Sequence, residues 1–186
     1  RAECARALGK LGSRAALGTL MYAVAVDPSP EVRSLAVEAL SRMRATEAEP
    51  ILTTSARQDL SPTVRAQAVR ALAEIAPGSS LPLFRDLWKE AADPELRLEA
   101  YRGLLRTAEG TRWIEEGLRD ADVSIRFSAL RAWTSRLATA PPGTRFSRTS
   151  TDVVRLETLL KDPARGIREF SRQALEKLGY KVRPDG

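Results

Sequence analysis

The sequence contains no histidine and a single cysteine, Cys4. Without histidine, Ser-His and Cys-His nucleophilic mechanisms and histidine metal ligation are excluded, and one cysteine makes neither an internal disulfide nor a zinc cluster. The fold therefore depends on no oxidising compartment, and Cys4 reads as a small buried residue. Aromatic residues are only 5% of the chain. No apolar run approaches the roughly 18 residues of a membrane span, and the opening Arg1-Ala2-Glu3-Cys4 does not read as a basic-then-apolar leader. No stretch sustains a period of two, so no β-rich segment stands out. A phosphate-binding glycine loop is missing too, because Gly9, Gly12 and Gly18 surround helical segments and lack the strand-loop-helix context.

What is present is helical. The 186 residues are 43% hydrophobic, rich in Ala, Leu and Arg, and patterned with a period near 3.6. That is enough apolar content for a continuous core. The net charge of +6 and pI near 10.0 favour acidic partners such as nucleic acid, anionic lipid or an acidic protein face.

Self-comparison gives the organisation. Arg1, Arg33, Arg65 and Arg97 stand 32 residues apart, and Arg126 and Arg168 continue the series at 29 and 42. The residue before the arginine is Val32, Val64, Leu96, Ile125 or Ile167. The seventh after it is Leu8, Leu40, Leu72, Leu104, Trp133 or Leu175. Small residues fill the third place (Cys4, Ala36, Ala68, Ala100, Ala129, Ser171) and the sixth (Ala7, Ala39, Ala71, Gly103, Ala132, Ala174). These positions form one helical face, with small side chains where a neighbouring helix approaches closely.

Each of these helices has a start signal four places upstream: Ser29, Ser61, Asp93 and Asp122 as N-caps, the first three followed by Pro30, Pro62 and Pro94. A further helix precedes each, over roughly 14–26, 46–58, 79–91, 110–119 and 149–161. Such a hairpin cannot bury its apolar face alone, so the pattern predicts an all-α solenoid of stacked antiparallel helical hairpins with about five and a half repeats. Residues 1–186 read as one repeat domain, with 138–150 as an inter-repeat loop insertion. Because Arg1 already occupies the arginine position, the expectation is the C-terminal part of a longer array.

The words Asp27 to Leu40, Asp59 to Leu72, Asp120 to Trp133 and Asp162 to Leu175 follow the pattern Asp-x-x-x-x-Val-Arg-x-x-Ala-x-x-Ala-Leu, in places loosely. In this the sequence, over residues 1–179, resembles the short HEAT repeats of phycobilin-lyase-like and other bacterial HEAT proteins. The repeat at 91–104 departs from it, with Ala91 where the others have Asp. The resemblance implies a scaffold or interaction module using a concave face lined by second helices. It also implies that the recurrent Arg and Asp join adjacent repeats as a structural ladder, so those arginines are not ligand contacts.

Functional candidates then lie two, five and nine places after the arginine, opposite the core face. There Arg6, Lys10, Arg42, Arg70, Arg102, Arg106, Arg131 and Lys177 face Glu3, Glu38, Glu74 and Glu99, eight basic groups against four acidic. Pairs such as Glu99 with Arg102 and Arg106, or Arg70 with Glu74, read as solvated ion pairs. The partner-binding candidates are Arg6, Arg42, Arg70, Arg102, Arg106 and Arg131, with Arg145, Phe146 and Arg148 on the inserted loop. Trp88, Trp113 and Trp133 read as packing residues. The reading is a non-catalytic scaffold or adaptor that needs no cofactor and no metal and binds a partner protein, an acidic one favoured. The alternative is a nucleic-acid-binding module. A HEAT-like DNA glycosylase branch, resting on Trp113, Asp122 and Trp133, is disfavoured because Trp133 sits at a core position and Asp122 at a cap. Four glutamates on the face and the lack of aromatics in register favour protein over nucleic acid. Oligomeric state and compartment stay open, with the cytoplasm favoured.

Overall fold

A computed structural model describes residues 1–139, 150–180 and 182. Among them are eleven α-helices and no strand. They are α1 (Ala2–Leu11), α2 (Leu17–Val26), α3 (Pro30–Arg42), α4 (Glu49–Gln58), α5 (Pro62–Ile75), α6 (Leu81–Glu90), α7 (Pro94–Arg106), α8 (Gly110–Gly117), α9 (Val123–Ala138), α10 (Thr151–Leu159) and α11 (Arg165–Lys177). Of the expected insertion at 138–150, Ala138 closes α9 and residues 140–149 lie outside the described residues. Backbone packing divides the chain into two compact units, Arg1–Gly110 and Thr111–Gly186.

In the first unit α2/α3, α4/α5 and α6/α7 are hairpins, and α1 is a second helix that packs on α3. The second helices α1, α3, α5 and α7 lie side by side, whereas the first helices touch one another far less. The second-helix layer is therefore the tighter, inner side of this unit. Small residues permit this spacing: Ala36, Ala68 and Ala100 are fully buried, and Ala39 and Ala71 nearly so. At Gly103 a Cβ would meet the ring of the fully buried Phe84 at 2.9 Å, so glycine alone lets α7 lie this close to α6. The predicted core positions Val32, Val64, Leu96, Leu40, Leu72 and Leu104 are all buried.

Cys4 is different. It is exposed, whereas Ala36, Ala68 and Ala100 at the same repeat position are fully buried. The expectation of a buried cysteine is corrected accordingly, and Leu8 is likewise only half-buried.

In the second unit Leu130, Val153, Leu156, Ile167 and Leu175 form the core, with Phe127 and Phe170 in edge contact at 5.3 Å. Just beyond α11 stands Gly179, whose φ of 87° glycine adopts without strain. The Gly179 and Tyr180 N–H groups donate to the Glu176 and Leu175 carbonyls, satisfying the last turn.

The repeated arginine and aspartate form the predicted ladder within each unit. Arg33 donates through Nε and Nη2 to Asp59 of the next hairpin at 2.8 and 2.7 Å, and through Nη1 to the Asp27 carbonyl of its own at 2.8 Å. Arg126 repeats the arrangement, with Asp162 at 2.9 and 3.1 Å and the Asp120 carbonyl at 3.0 Å. Arg1 reaches Asp27 at 2.8 Å. Each aspartate also accepts the N–H two residues on, from Ser29, Ser61, Asp122 and Ala164. This corrects the capping expectation at two helices: Ser29 and Ser61 occupy the N-cap but accept no hydrogen bond through their side chains, and the aspartate two places earlier holds the turn instead. Asp93 and Asp122 do cap, accepting the N–H groups of Glu95 and Leu96 and of Ser124.

One rung is imperfect. Arg65 keeps the bond to its own hairpin, donating through Nη1 to the Asp59 carbonyl at 2.8 Å, but where the repeat has Ala91 its partner in the next hairpin is the capping Asp93, at 3.7 Å. The Ala91 backbone, φ −68° and ψ 129°, matches that of Asp27, φ −66° and ψ 129°. We expect Ala91→Asp to complete the rung and stabilise the protein by about 0.5–1 kcal/mol, read as a rise of a few degrees in thermal midpoint. An unchanged or lower midpoint would count against the ladder as a stabilising element.

The ladder also sets an acid limit. Burial opposes the charge of Asp59 and of Asp162, but the Arg33 and Arg126 guanidiniums and the Ser61 and Ala164 N–H groups outweigh it. Both carboxyls therefore titrate below their ordinary value of 3.8. A carboxyl that is more acidic in the folded chain contributes stability in full above the unfolded value and loses it as pH falls through the folded one. Helical circular dichroism should thus be constant down to about pH 4 and fall below it. Asp59→Asn should lower stability at neutral pH and lessen the acid dependence.

Candidate functional site

With the ladder arginines committed to structure, the side chains on the inner layer are those five and nine places further along each second helix. In the first unit Arg6, Arg42, Arg70, Arg102 and Arg106 are all exposed, as predicted, and in the second unit so is Arg131. Positions two places along are different in kind. Leu35 and Gln67 are half-buried and Glu99 is buried, because this register turns toward the adjacent second helix.

The ion pairs fall in two classes. Arg6 with Glu3, at 2.7 Å, and Arg42 with Glu38, at 2.6 Å, are exposed pairs within one helix. Such pairs contribute a few tenths of a kcal/mol. Glu99, by contrast, accepts Arg70 Nε from α5 at 3.2 Å and Arg102 Nη1 from α7 at 2.6 Å. Its side chain is 5% exposed, while the two arginines stay 50% and 52% exposed. Hydrogen bonding to Glu99 outweighs partial burial and holds Arg70 more firmly protonated than an ordinary arginine. The expected Arg70–Glu74 pair is not the one formed, and Glu74 accepts from the Ser41 hydroxyl at 2.7 Å. Among the described residues the Arg106 and Arg131 guanidiniums have no acceptor.

Grooves run between neighbouring second helices. One in the first unit, about 470 Å³, is lined by Glu38, Arg42, Gln67, Arg70 and Glu74. Its cations and carboxylates are balanced. Another, in the second unit, about 460 Å³, has Arg131 and Lys177 over an apolar floor of Leu137, Phe170, Ala174 and Leu178, with no carboxylate in its lining.

The remaining candidates are placed as follows. Trp88, Trp113 and Trp133 are buried, as packing residues are. Trp133 donates from Nε1 to Asp152 at 2.9 Å, and Arg155 lies over its ring. With Trp113 and Trp133 inside and Asp122 capping α9, the residues of the glycosylase alternative offer no exposed stacking surface. Arg145, Phe146 and Arg148 lie outside the described residues. Among the described residues no group of three His, Cys, Asp or Glu is placed to hold a metal ion, and no helix is long and apolar enough to cross a membrane. The burial of Glu99 is the feature the sequence concealed, since the rule that placed Arg70 and Arg102 on the surface placed Glu99 there too.

Comparison with known proteins agrees with this geometry. The sequence profile described as HEAT repeats matches residues 1–60 and 49–133. No curated protein matches the sequence. Among solved structures, a designed armadillo repeat protein in complex with the peptide (KR)4 is 19% identical with a TM-score of 0.57, covering 95% of this chain and 92% of that one. Designed armadillo repeat proteins for modular peptide recognition give 20% identity and 0.52, covering 94% and 91%. The archaeal HEAT-like repeats protein from Thermococcus onnurineus NA1 gives 17% and 0.53, covering 99% and 78%. At these identities the likeness is one of fold, an all-α repeat solenoid of the armadillo and HEAT kind.

The contrast between core and inner layer is measurable. Leu72 is fully buried, so Leu72→Ala should cost about 2–5 kcal/mol in urea unfolding. Arg106→Ala should cost less than about 0.5 kcal/mol. Arg70→Ala should fall between them, at about 1–2 kcal/mol, because it removes one of two partners from a buried carboxylate. Equal losses at Arg70 and Arg106 would mean that Glu99 is not held as described.

Proposed function

The chain belongs to the HEAT-repeat family, and from that premise we propose that it is a non-catalytic scaffold that binds an acidic segment of a partner protein on the inner layer of its second helices. The supporting observation is the exposure of arginines at the fifth and ninth places of the second helices, six basic groups against four acidic in the first unit and two against none in the second, with Glu99 withdrawn from the surface. Arg6, Arg42, Arg70, Arg102, Arg106 and Arg131 are the contacts proposed. Arg145, Phe146 and Arg148 are proposed as additional contacts from the inserted loop. The designed armadillo proteins supply a precedent for a peptide ligand on a fold of this kind, there the basic peptide (KR)4. The absence of histidine supports binding over catalysis.

The test uses Arg42 and Arg106 of the first unit, neither of which supports a buried group. Replacing both by Gln should weaken a short acidic peptide about fivefold, chiefly by slowing association, and leave the thermal midpoint unchanged. Duplex DNA should bind only weakly at about 150 mM salt. Tight duplex binding there, with a salt slope that drops by about 0.9 per arginine removed, would instead assign the layer to nucleic acid.

A further inference from the structure

The two exposed pairs of the inner layer and the Glu99 cluster differ in what they leave available to a ligand. In Arg6–Glu3 and Arg42–Glu38 both members face water, with side-chain exposures of 44% and 82% in the first and 53% and 51% in the second. A ligand carboxylate must compete there with a neighbouring glutamate free to stay where it is. At Glu99 the competing carboxylate is itself buried and committed to one N–H from each of two helices. A buried carboxylate is costly unless paired, so it holds both arginines in place. The Arg70 Nη1 and Nη2 donors and the Arg102 Nε and Nη2 donors find no protein acceptor among the described residues. Two guanidiniums on one carboxylate carry a net +1.

We propose that Arg70, Glu99 and Arg102 form a preorganised receptor for a carboxylate side chain of an acidic partner segment, and that Glu99 is the positioning residue that fixes both guanidinium forks. This rests on the binding reading above. Arginine presents planar donors that match a carboxylate, and holding the forks beforehand removes the rotamer cost of ordering them on binding. A discrete carboxylate suits the place better than a continuous phosphate backbone, because Glu38 and Glu74 line the adjacent groove.

Charge counting and positioning predict opposite signs for one substitution. Glu99→Gln adds a net positive charge to the layer, so simple attraction would tighten an acidic ligand. Positioning predicts that a fluorescein-labelled peptide of alternating Glu and Gly binds about fivefold to tenfold more weakly. The Arg70 Nε–H NMR signal should also lose its protection from exchange, while the helical circular dichroism stays intact. Tighter or unchanged binding by folded Glu99→Gln overturns the proposal. Should that variant fail to fold, the double variant Arg70→Lys and Arg102→Lys keeps both charges and loses both forks. It should weaken the peptide to a similar degree, and unchanged binding overturns the proposal equally. Failure of the unmodified protein to bind the peptide at low salt overturns the scaffold reading as well. Normal wild-type binding with an insensitive Glu99 overturns only the receptor. Preference for duplex DNA over the peptide overturns the choice of carboxylate.

Discussion

The rung between Arg33 and Asp59 shows what the rest of each unit depends on. Hydrophobic contact between hairpins is non-directional, and a stack of alanine-rich helices has many nearly equivalent ways to slide. The bidentate rung removes that freedom, because a planar guanidinium meets a carboxylate in one geometry. Its third donor goes to a carbonyl of its own hairpin, and the aspartate also closes its own turn. In the rungs of Arg33 and Arg126 one arginine and one aspartate thus tie the turn and the start of the second helix to the next hairpin. Where the aspartate is missing, at Ala91, the turn keeps its dihedral angles while the rung lengthens. The backbone conformation is therefore set by the surrounding packing, and the ladder acts on register and stability.

Fixed register gives the inner layer its meaning. Side chains at one repeat position recur at a set spacing only if successive hairpins cannot slide, and only then do Arg70 of α5 and Arg102 of α7 converge on one carboxylate. Small residues at the third and sixth places serve the same end. Had Gly103 a side chain, Phe84 would have to move and α7 would stand further out. The spacing of the exposed cations thus follows from buried alanines and a glycine that never touch a ligand.

Most of this architecture was legible in the sequence because it repeats. An interval of 32 residues between arginines, proline at the first helical position and apolar residues around each arginine all report local geometry, which the chain states once per repeat. The ladder was legible only through family resemblance, since nothing in the spacing shows that an arginine reaches a neighbouring aspartate. What could not be read from one helix is what lies beside it. Cys4 has the same position as Ala36 and Ala68, yet it is exposed where they are fully buried. Ser29 and Ser61 stand where caps stand, but their side chains accept no hydrogen bond, whereas Asp122 at the same position caps α9. Glu99 fails the helical-wheel rule. Leu35 and Gln67 at the equivalent position are also partly covered, so the register belongs to the seam between second helices.

A seam position of this kind changes how a charged repeat surface is to be read. Counting Glu99 as a surface acid makes the layer look like a field of compensating charges, in which no arginine is better placed than another. Placing it in the seam turns the same residue into an internal support, so that Arg70 and Arg102 are held while Arg106 and Arg131 are not. The charge sum is identical in both descriptions. The difference lies in orientation, since a held guanidinium presents its remaining donors without first losing rotamer freedom, and a loose one supplies only a screened charge. On the binding reading proposed above, affinity should therefore follow which arginines are buttressed from below more closely than how many there are.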